Sequence, residues 1–248
     1  MRKNLLILTL IVLCSTALAQ TTEAPMTTGK RVSIGVSIGP SMDWLASRTD
    51  GYEKDGTILG LRYGIPLDIN LTKSTNFYFS TGVKFANTGG KLRFDDIFTI
   101  NVNNINIFDA TRRRKYNAMY VGIPTGVKLK TPTFNNFVIG GHVGLEHGFL
   151  ISSKKLDELD VIILDTKLTA KDEKKSKYTD GYMFRESVYA GLGLEYIIKD
   201  SFRVNFYVNY NYTLNNFFKK NNSTKNIVTG LQEKANLHGV EFLLGFSF

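Results

Sequence analysis

The residues of this chain best suited to proton transfer near neutral pH are His142, His147 and His238. Acyl transfer needs a nucleophile, a base touching it and an acid that orients the base. His142 and Glu146 stand four residues apart, and Ser187 falls on the same kind of face in a later segment. Four residues of extended chain span roughly 13 Å, too far for Glu146 to orient the His142 ring. His142 therefore reads as a histidine satisfied within an interior, and His147 as a residue near a strand end. Cys14 is the single cysteine. No histidine, cysteine and carboxylate spacing resembles a metal site. No glycine-rich phosphate loop joins a strand to a helix. The expectation is a protein with no catalytic residues, no cofactor and no metal.

A second constellation is made of charges. Arg62, Lys84, Lys128 and Arg203, with Asp68, Glu146, Glu195 and Glu241, each occur among small or polar residues that alternate with large apolar ones. Enclosed charges are costly unless they pair. Four cations against four carboxylates predict a lumen ion-pair network that fills an interior. A charge-lined conduit is the competing reading.

The elements that must carry these charges are strands. Apolar residues recur every second position in eight segments: 31–40, 59–71, 77–85, 121–129, 137–149, 188–198, 202–214 and 237–248. The connections between them run long, short, long, short, long, short, long: 41–56, 72–76, 87–115, 131–136, 150–182, 199–201 and 215–236. That rhythm predicts an all-β fold, an eight-stranded antiparallel up-and-down transmembrane β-barrel over 31–248. Alternation also suits a soluble barrel with its apolar face inward. Glycine decides against that: Gly60, Gly64, Gly122, Gly126, Gly140, Gly144, Gly191 and Gly193 all lie on the less apolar face. On a solvated sheet face glycine only costs stability, whereas inside a narrow barrel it makes room for long neighbours. Aromatics gather near segment ends, Trp44, Tyr116, Phe149 and Phe184 at one rim and Phe77, Phe137, Tyr196, Phe202 and Phe248 at the other, as interfacial girdles do.

The N-terminus carries Arg2 and Lys3, an apolar run over 5–13 broken by Thr9, and Ala17-Leu18-Ala19. That is a signal peptide over 1–19, cleaved after Ala19, followed by a short periplasmic lead-in over 20–30. The apolar run is too short for a helical span. Cys14 lacks the small residues a lipidation site wants just before it, and it leaves with the signal. The formal net charge is +9. The basic residues are scattered and the signal directs the chain out of the cytoplasm, so no nucleic-acid partner is expected. Outer-membrane lipids and anionic or sugar surfaces are the expected contacts, through loops carrying Arg112-Arg113-Arg114-Lys115, Trp44 and Tyr52.

The last segment places Phe242, Leu244, Phe246 and Phe248 on one face. A terminal strand with free donors and an apolar face can add to a sheet edge, so these four are expected to serve as an insertion signal for the machinery that builds barrels. With this strand, the signal and the eight segments, the stretch Tyr120-Val121-Gly122-Ile123-Pro124-Thr125-Gly126-Val127-Lys128-Leu129-Lys130 resembles the small outer-membrane barrels of Bacteroidota, the porin-family or PorT-like group. The resemblance implies an outer-membrane location and the barrel fold, and it transfers no site residues. The function expected is that of a monomeric, non-enzymatic outer-membrane protein. Its termini are periplasmic, its lumen is filled, and its long loops meet a surface or secretion-complex partner. A narrow solute channel is the second reading, and a lipid-modifying enzyme the third.

Overall fold

The structure is a computed structural model of the 248-residue chain. It describes residues 31–71, 76–102, 104–163, 166–171, 176–177, 181–199, 202–220 and 228–248. The expected signal peptide and lead-in, 1–30, lie outside the described residues. All eleven elements are strands: β1 (Val32–Ser47), β2 (Tyr52–Lys54), β3 (Ile58–Asn70), β4 (Phe77–Val102), β5 (Asn104–Lys130), β6 (Phe137–Ile163), β7 (Thr166–Lys171), β8 (Ser176–Lys177), β9 (Phe184–Lys199), β10 (Phe202–Thr213) and β11 (Ala235–Ser247). Among the described residues no helix is long and apolar enough to cross a membrane.

Eight of these strands close a ring. β1 pairs with β3, then β3 with β4, β4 with β5, β5 with β6, β6 with β9, β9 with β10 and β10 with β11, every pair antiparallel. β11 returns to β1 through eleven opposed residues, Gly35↔Ser247 to Ser47↔Ala235. Closure leaves no free edge in the wall. The turn between β5 and β6 is a two-residue hairpin loop. Phe134 and Phe137 exchange both backbone bonds at 2.8 Å, and Asn135 and Asn136 take φ of 44° and 70°. Asparagine is among the few non-glycine residues that tolerate that region, and a turn of this hand follows the twist of its strands.

The wall is inside out relative to a soluble protein. Ile34, Val36 and Ile38 of β1, Leu61 and Ile65 of β3, Val127 and Leu129 of β5, Ile139 and Val143 of β6, Leu192 and Leu194 of β9, Phe206 and Val208 of β10 and Leu244 and Phe246 of β11 are all exposed. A contiguous apolar belt around a closed barrel is costly in water and favoured in hydrocarbon. The expected lower girdle residues Phe77, Phe137, Tyr196, Phe202 and Phe248 are exposed on this surface, as are Phe149 and Phe184 at the upper rim. Tyr116 corrects the expectation: it points inward and is fully buried.

The strands run further than the alternating segments indicated. β1 continues to Ser47, so 41–47 is wall and not loop, and Trp44 belongs to a strand. The expected loop 87–115 is mostly the upper half of a long hairpin, β4 against β5, paired in register out to Val102↔Asn104. β6 extends the same sheet, opposing β5 as far as Ala110↔Val161, after a one-residue bulge where Met119 pairs with Ser152 and Tyr120 with Leu150. β2 covers one edge of β4, and β7 and β8 cover β6. The result is a blade of sheet standing above three strands of the barrel.

Candidate functional site

The lumen is built in layers, each set by which side chains alternate inward. At the short-turn end Lys128 Nζ lies 2.7 Å from Asp68 and Lys130 Nζ 2.9 Å from Glu195. Ser80 donates a hydrogen bond to Asp68 (2.7 Å), and Tyr207 donates one to Glu195 (2.7 Å). Arg203 reaches Glu195 at 3.2 Å. Above this lies a cavity of about 90 Å³, lined among others by Ser37, Lys84, Tyr189, Asn209 and Leu243. His142 faces it, 2.6 Å from Asn209 Oδ1 and stacked on Tyr207 with ring centroids 4.9 Å apart.

The next layer crosses the barrel. Glu146 is gripped by both Lys84 and Arg185. Glu241 takes Lys84 at 3.2 Å, Arg62 at 3.3 Å and the Asn209 amide at 2.8 Å. Arg62 also pairs with Asp43 at 2.6 Å. Glu146, Glu195 and Glu241 are each 1% exposed, so every one of these carboxylates depends on its partners for stabilisation.

All eight charges singled out in the sequence stand in these layers. Asp43, Lys130 and Arg185 join them, so among the described residues these layers hold five carboxylates and six cations and not the expected four and four. The three were missed for related reasons. Asp43 and Arg185 lie on stretches of β1 and β9 that were cut short, and Lys130 is the last residue of β5. Continuing the alternation outward would have found them.

The long-loop end is roofed by apolar side chains. Phe217 and Phe218, from the connection between β10 and β11, pack edge-on against Tyr116 with centroids 5.9 and 5.0 Å away. Leu45, Ala86, Leu92, Ala118, Tyr120, Ala235 and Leu237 complete the cluster. Backbone bonds hold the roof in place: Tyr182 N to Phe217 O at 3.1 Å and Phe217 N to Ala235 O at 2.8 Å. Within it Tyr116 donates a hydrogen bond to Glu233 at 2.9 Å. Burial pushes the Glu233 carboxyl up to about 7, against the opposing pull of that hydrogen bond and of Arg114.

The arginines of the basic run are ion-paired along the blade. Arg112 pairs with Asp96 and with Asp157 (3.5 Å), Arg114 with Asp157, and Arg113 with Asp160 (3.3 Å) on the opposite face. Burial works to raise the Asp157 carboxyl, but Arg114's hydrogen bond and charge overcome it and hold Asp157 below the usual carboxylate range.

One further group has the order of a catalytic relay. Thr125 Oγ1 lies 3.2 Å from His147 Nε2, and His147 Nδ1 lies 2.9 Å from Glu186 Oε2. It sits on the outer face, where β5, β6 and β9 meet. Acyl transfer would also need free amide donors aimed at the reacting oxygen; here β6 and β9 pair in the ladder and Glu186 N donates to Asn215 Oδ1 at 3.0 Å. Ser187, by contrast, is bonded to Thr213 at 3.1 Å and does not meet His142. Among the described residues no group of three histidine, cysteine or carboxylate side chains could hold a metal ion.

Residues 18–219 match the model of a family described as an outer membrane protein beta-barrel domain. Among solved structures the chain is similar to neisserial surface protein A, with 9% identity, a TM-score of 0.41, and 88% of this chain and 96% of that chain covered. It is similar to the attachment invasion locus protein Ail of Yersinia pestis, solved with the heparin analogue sucrose octasulfate, with 14% identity, a TM-score of 0.33, and 88% and 100% covered. It is also similar to the outer membrane protein OprG of Pseudomonas aeruginosa, with 11% identity, a TM-score of 0.37, and 89% and 97% covered. No curated protein sequence matches it.

Proposed function

Because this chain belongs to the outer membrane protein beta-barrel domain family, we propose that it is a sealed outer-membrane scaffold without enzymatic activity, whose blade and long connections meet a partner outside the cell. The short turns and both termini then face the periplasm, and the insertion machinery acts on the face that carries Phe242, Leu244, Phe246 and Phe248. A kinship with the porin-family or PorT-like barrels of Bacteroidota, on the Tyr120–Lys130 stretch, belongs to the same proposal.

One observation carries the reading. The roof of Tyr116, Phe217 and Phe218 closes the barrel at the end where the sheet continues into the blade. A pore would need that end open, whereas a scaffold needs it rigid. β4 continues over 88–102 beyond the belt, roughly 50 Å of strand along its own axis, far more than closing a hairpin requires. The cavity of about 90 Å³ is the support for the second reading, a narrow solute channel, but it lies below both the paired charges and the roof.

The test is crosslinking and recovery from intact cells, comparing the wild-type chain with one in which residues 152–179 are replaced by a short turn. Heat-modifiable gel mobility reports whether the barrel has formed. The proposal expects both barrels to insert and the surface partners to be lost from the trimmed one. Recovery of the same partners from both would overturn it.

A further inference from the structure

We propose that the outer face formed by Trp44, Tyr210, Tyr212 and His238, with Lys54 above it, is a docking site for one phosphorylated glycolipid of the outer leaflet. The proposal rests on the outer-membrane reading above. Three neighbouring strands bring the side chains to one level: Trp44 of β1 is opposite His238 of β11, and Tyr212 of β10 is opposite the same His238. The Trp44 and His238 rings stack with centroids 5.5 Å apart and planes 12° from parallel. Tyr210 Oη lies 2.7 Å from His238 Nδ1, and Tyr212 meets His238 edge-on at 4.9 Å. Lys54, carried over by β2, puts Nζ 4.8 Å from the Trp44 ring centroid.

This patch differs from the rest of the girdle. Of the other ring pairs on the barrel's exterior, Phe149–Phe184, Phe137–Tyr196, Phe202–Phe246 and Tyr63–Phe85, none has a cation above it among the described residues. Here an indole, an imidazole, two phenols and an ammonium form one surface. Among the described residues Lys54 makes no salt bridge, and the neighbouring Glu53 is held by Arg93. Arg48 and Lys234, both exposed, stand at the same corner, joined by a 2.8 Å bond from Arg48 N to Lys234 O. Directly below, the outward rows continue as Met42, Val208, Phe206 and Leu244, all exposed and apolar.

The chemistry selects the occupant. The exposed Tyr210 ring, with the imidazole and indole beside it, suits a sugar ring. An ammonium that makes no salt bridge among the described residues, with the exposed Arg48 beside it donating to Asn236 Oδ1 at 3.2 Å, suits phosphate. An apolar surface running straight down from the patch suits acyl chains. A phospholipid supplies the phosphate and chains but no ring to stack, and a soluble sugar supplies no chains.

Trp44 is the only tryptophan in the chain, so its fluorescence reports this patch alone. The full chain is reconstituted into phosphatidylcholine vesicles containing rising fractions of a diphosphorylated diglucosamine lipid, the same lipid without phosphates, or phosphatidylglycerol matched in charge. The expected result is a saturable change of Trp44 emission with the phosphorylated glycolipid only. Lys54→Gln should weaken its half-saturation about fivefold, the factor that corresponds to one exposed cation contact of about 1 kcal/mol, while Phe149→Ala leaves it unchanged. An equal response to phosphatidylglycerol, or no effect of Lys54→Gln, would overturn the site. Vesicle flotation and heat-modifiable mobility are read on the same samples. If the chain fails to insert at all, the outer-membrane reading falls. If it inserts and shows no saturable response, only the docking site does.

Discussion

A carboxylate cut off from water must be held by donors or kept protonated, and this protein uses both solutions. Glu146 is held between Lys84 and Arg185. Replacing one member of such a trio strands the others, so Glu146→Gln should destabilise the barrel by about 3 kcal/mol. Adding Arg185→Met should recover part of the loss, because the uncompensated charge goes with it. Urea unfolding of both variants in detergent checks this, and purely additive losses would show that the trio does not act as a unit. Glu233 uses the other solution. Its folded pKa of about 7 stands above the ordinary 4.5, so the folded state holds the proton more tightly than the unfolded one. The stability it contributes is complete below about pH 4.5 and is lost as pH rises through about 7, a difference of at most roughly 3 kcal/mol. Glu233→Gln should therefore match the wild type at pH 4.5 and be the more stable of the two at pH 8. A pH profile unchanged by the substitution would mean that Glu233 is already ionised under the roof.

Among the elements, alternation made the eight strands and their order legible, because a period of two belongs to strands and one face is uniformly apolar. It did not show where a strand stops. Past the belt the outward residues turn polar, as in Lys91, Arg93 and Asp95 of β4, so the apolar signal ends while the ladder continues. Arg185 was overlooked for that reason, with Glu186 in the outward row beside it; on β1 the outward row stays apolar through Met42 and Trp44, so Asp43 was within reach of the alternation. The same limit made Arg112-Arg113-Arg114 look like an open basic cluster, when a strand sends alternate members to opposite faces and carboxylates meet them on each. The glycines, by contrast, were informative. Gly191 and Gly193 of β9 stand opposite Asn209 and Tyr207 of β10. A Cβ on Gly193 would fall 2.4 Å from a Tyr207 ring carbon and 2.5 Å from Phe206 O. Gly193→Ala should therefore displace the ring that donates to Glu195 and lower the melting temperature by several degrees, in line with an overpacking cost of about 1–3 kcal/mol. Differential scanning calorimetry in detergent checks it, and an unshifted melting temperature would mean that the wall relaxes around the methyl group.

At the scale of the whole molecule, the described side chains set barriers in series along the lumen, which bears on the channel reading. An eight-stranded ring has an interior just wide enough for its own side chains. Here that interior carries a roof of Tyr116, Phe217 and Phe218, the Arg62–Glu241–Lys84–Glu146–Arg185 layer beneath it, and the Asp68–Lys128 and Lys130–Glu195 pairs at the far end. The wild-type protein should show no stable conductance in planar bilayers. Opening the roof alone should not change that, because a permeating ion would still have to separate buried pairs whose uncompensated charges cost several kcal/mol. Phe217→Ser with Phe218→Ser is therefore expected to remain silent while keeping heat-modifiable mobility. Reproducible ion-selective steps from this variant would identify the roof as the gate of a conducting path and would put the solute channel in place of the scaffold. Steps from the wild type would do so without any substitution.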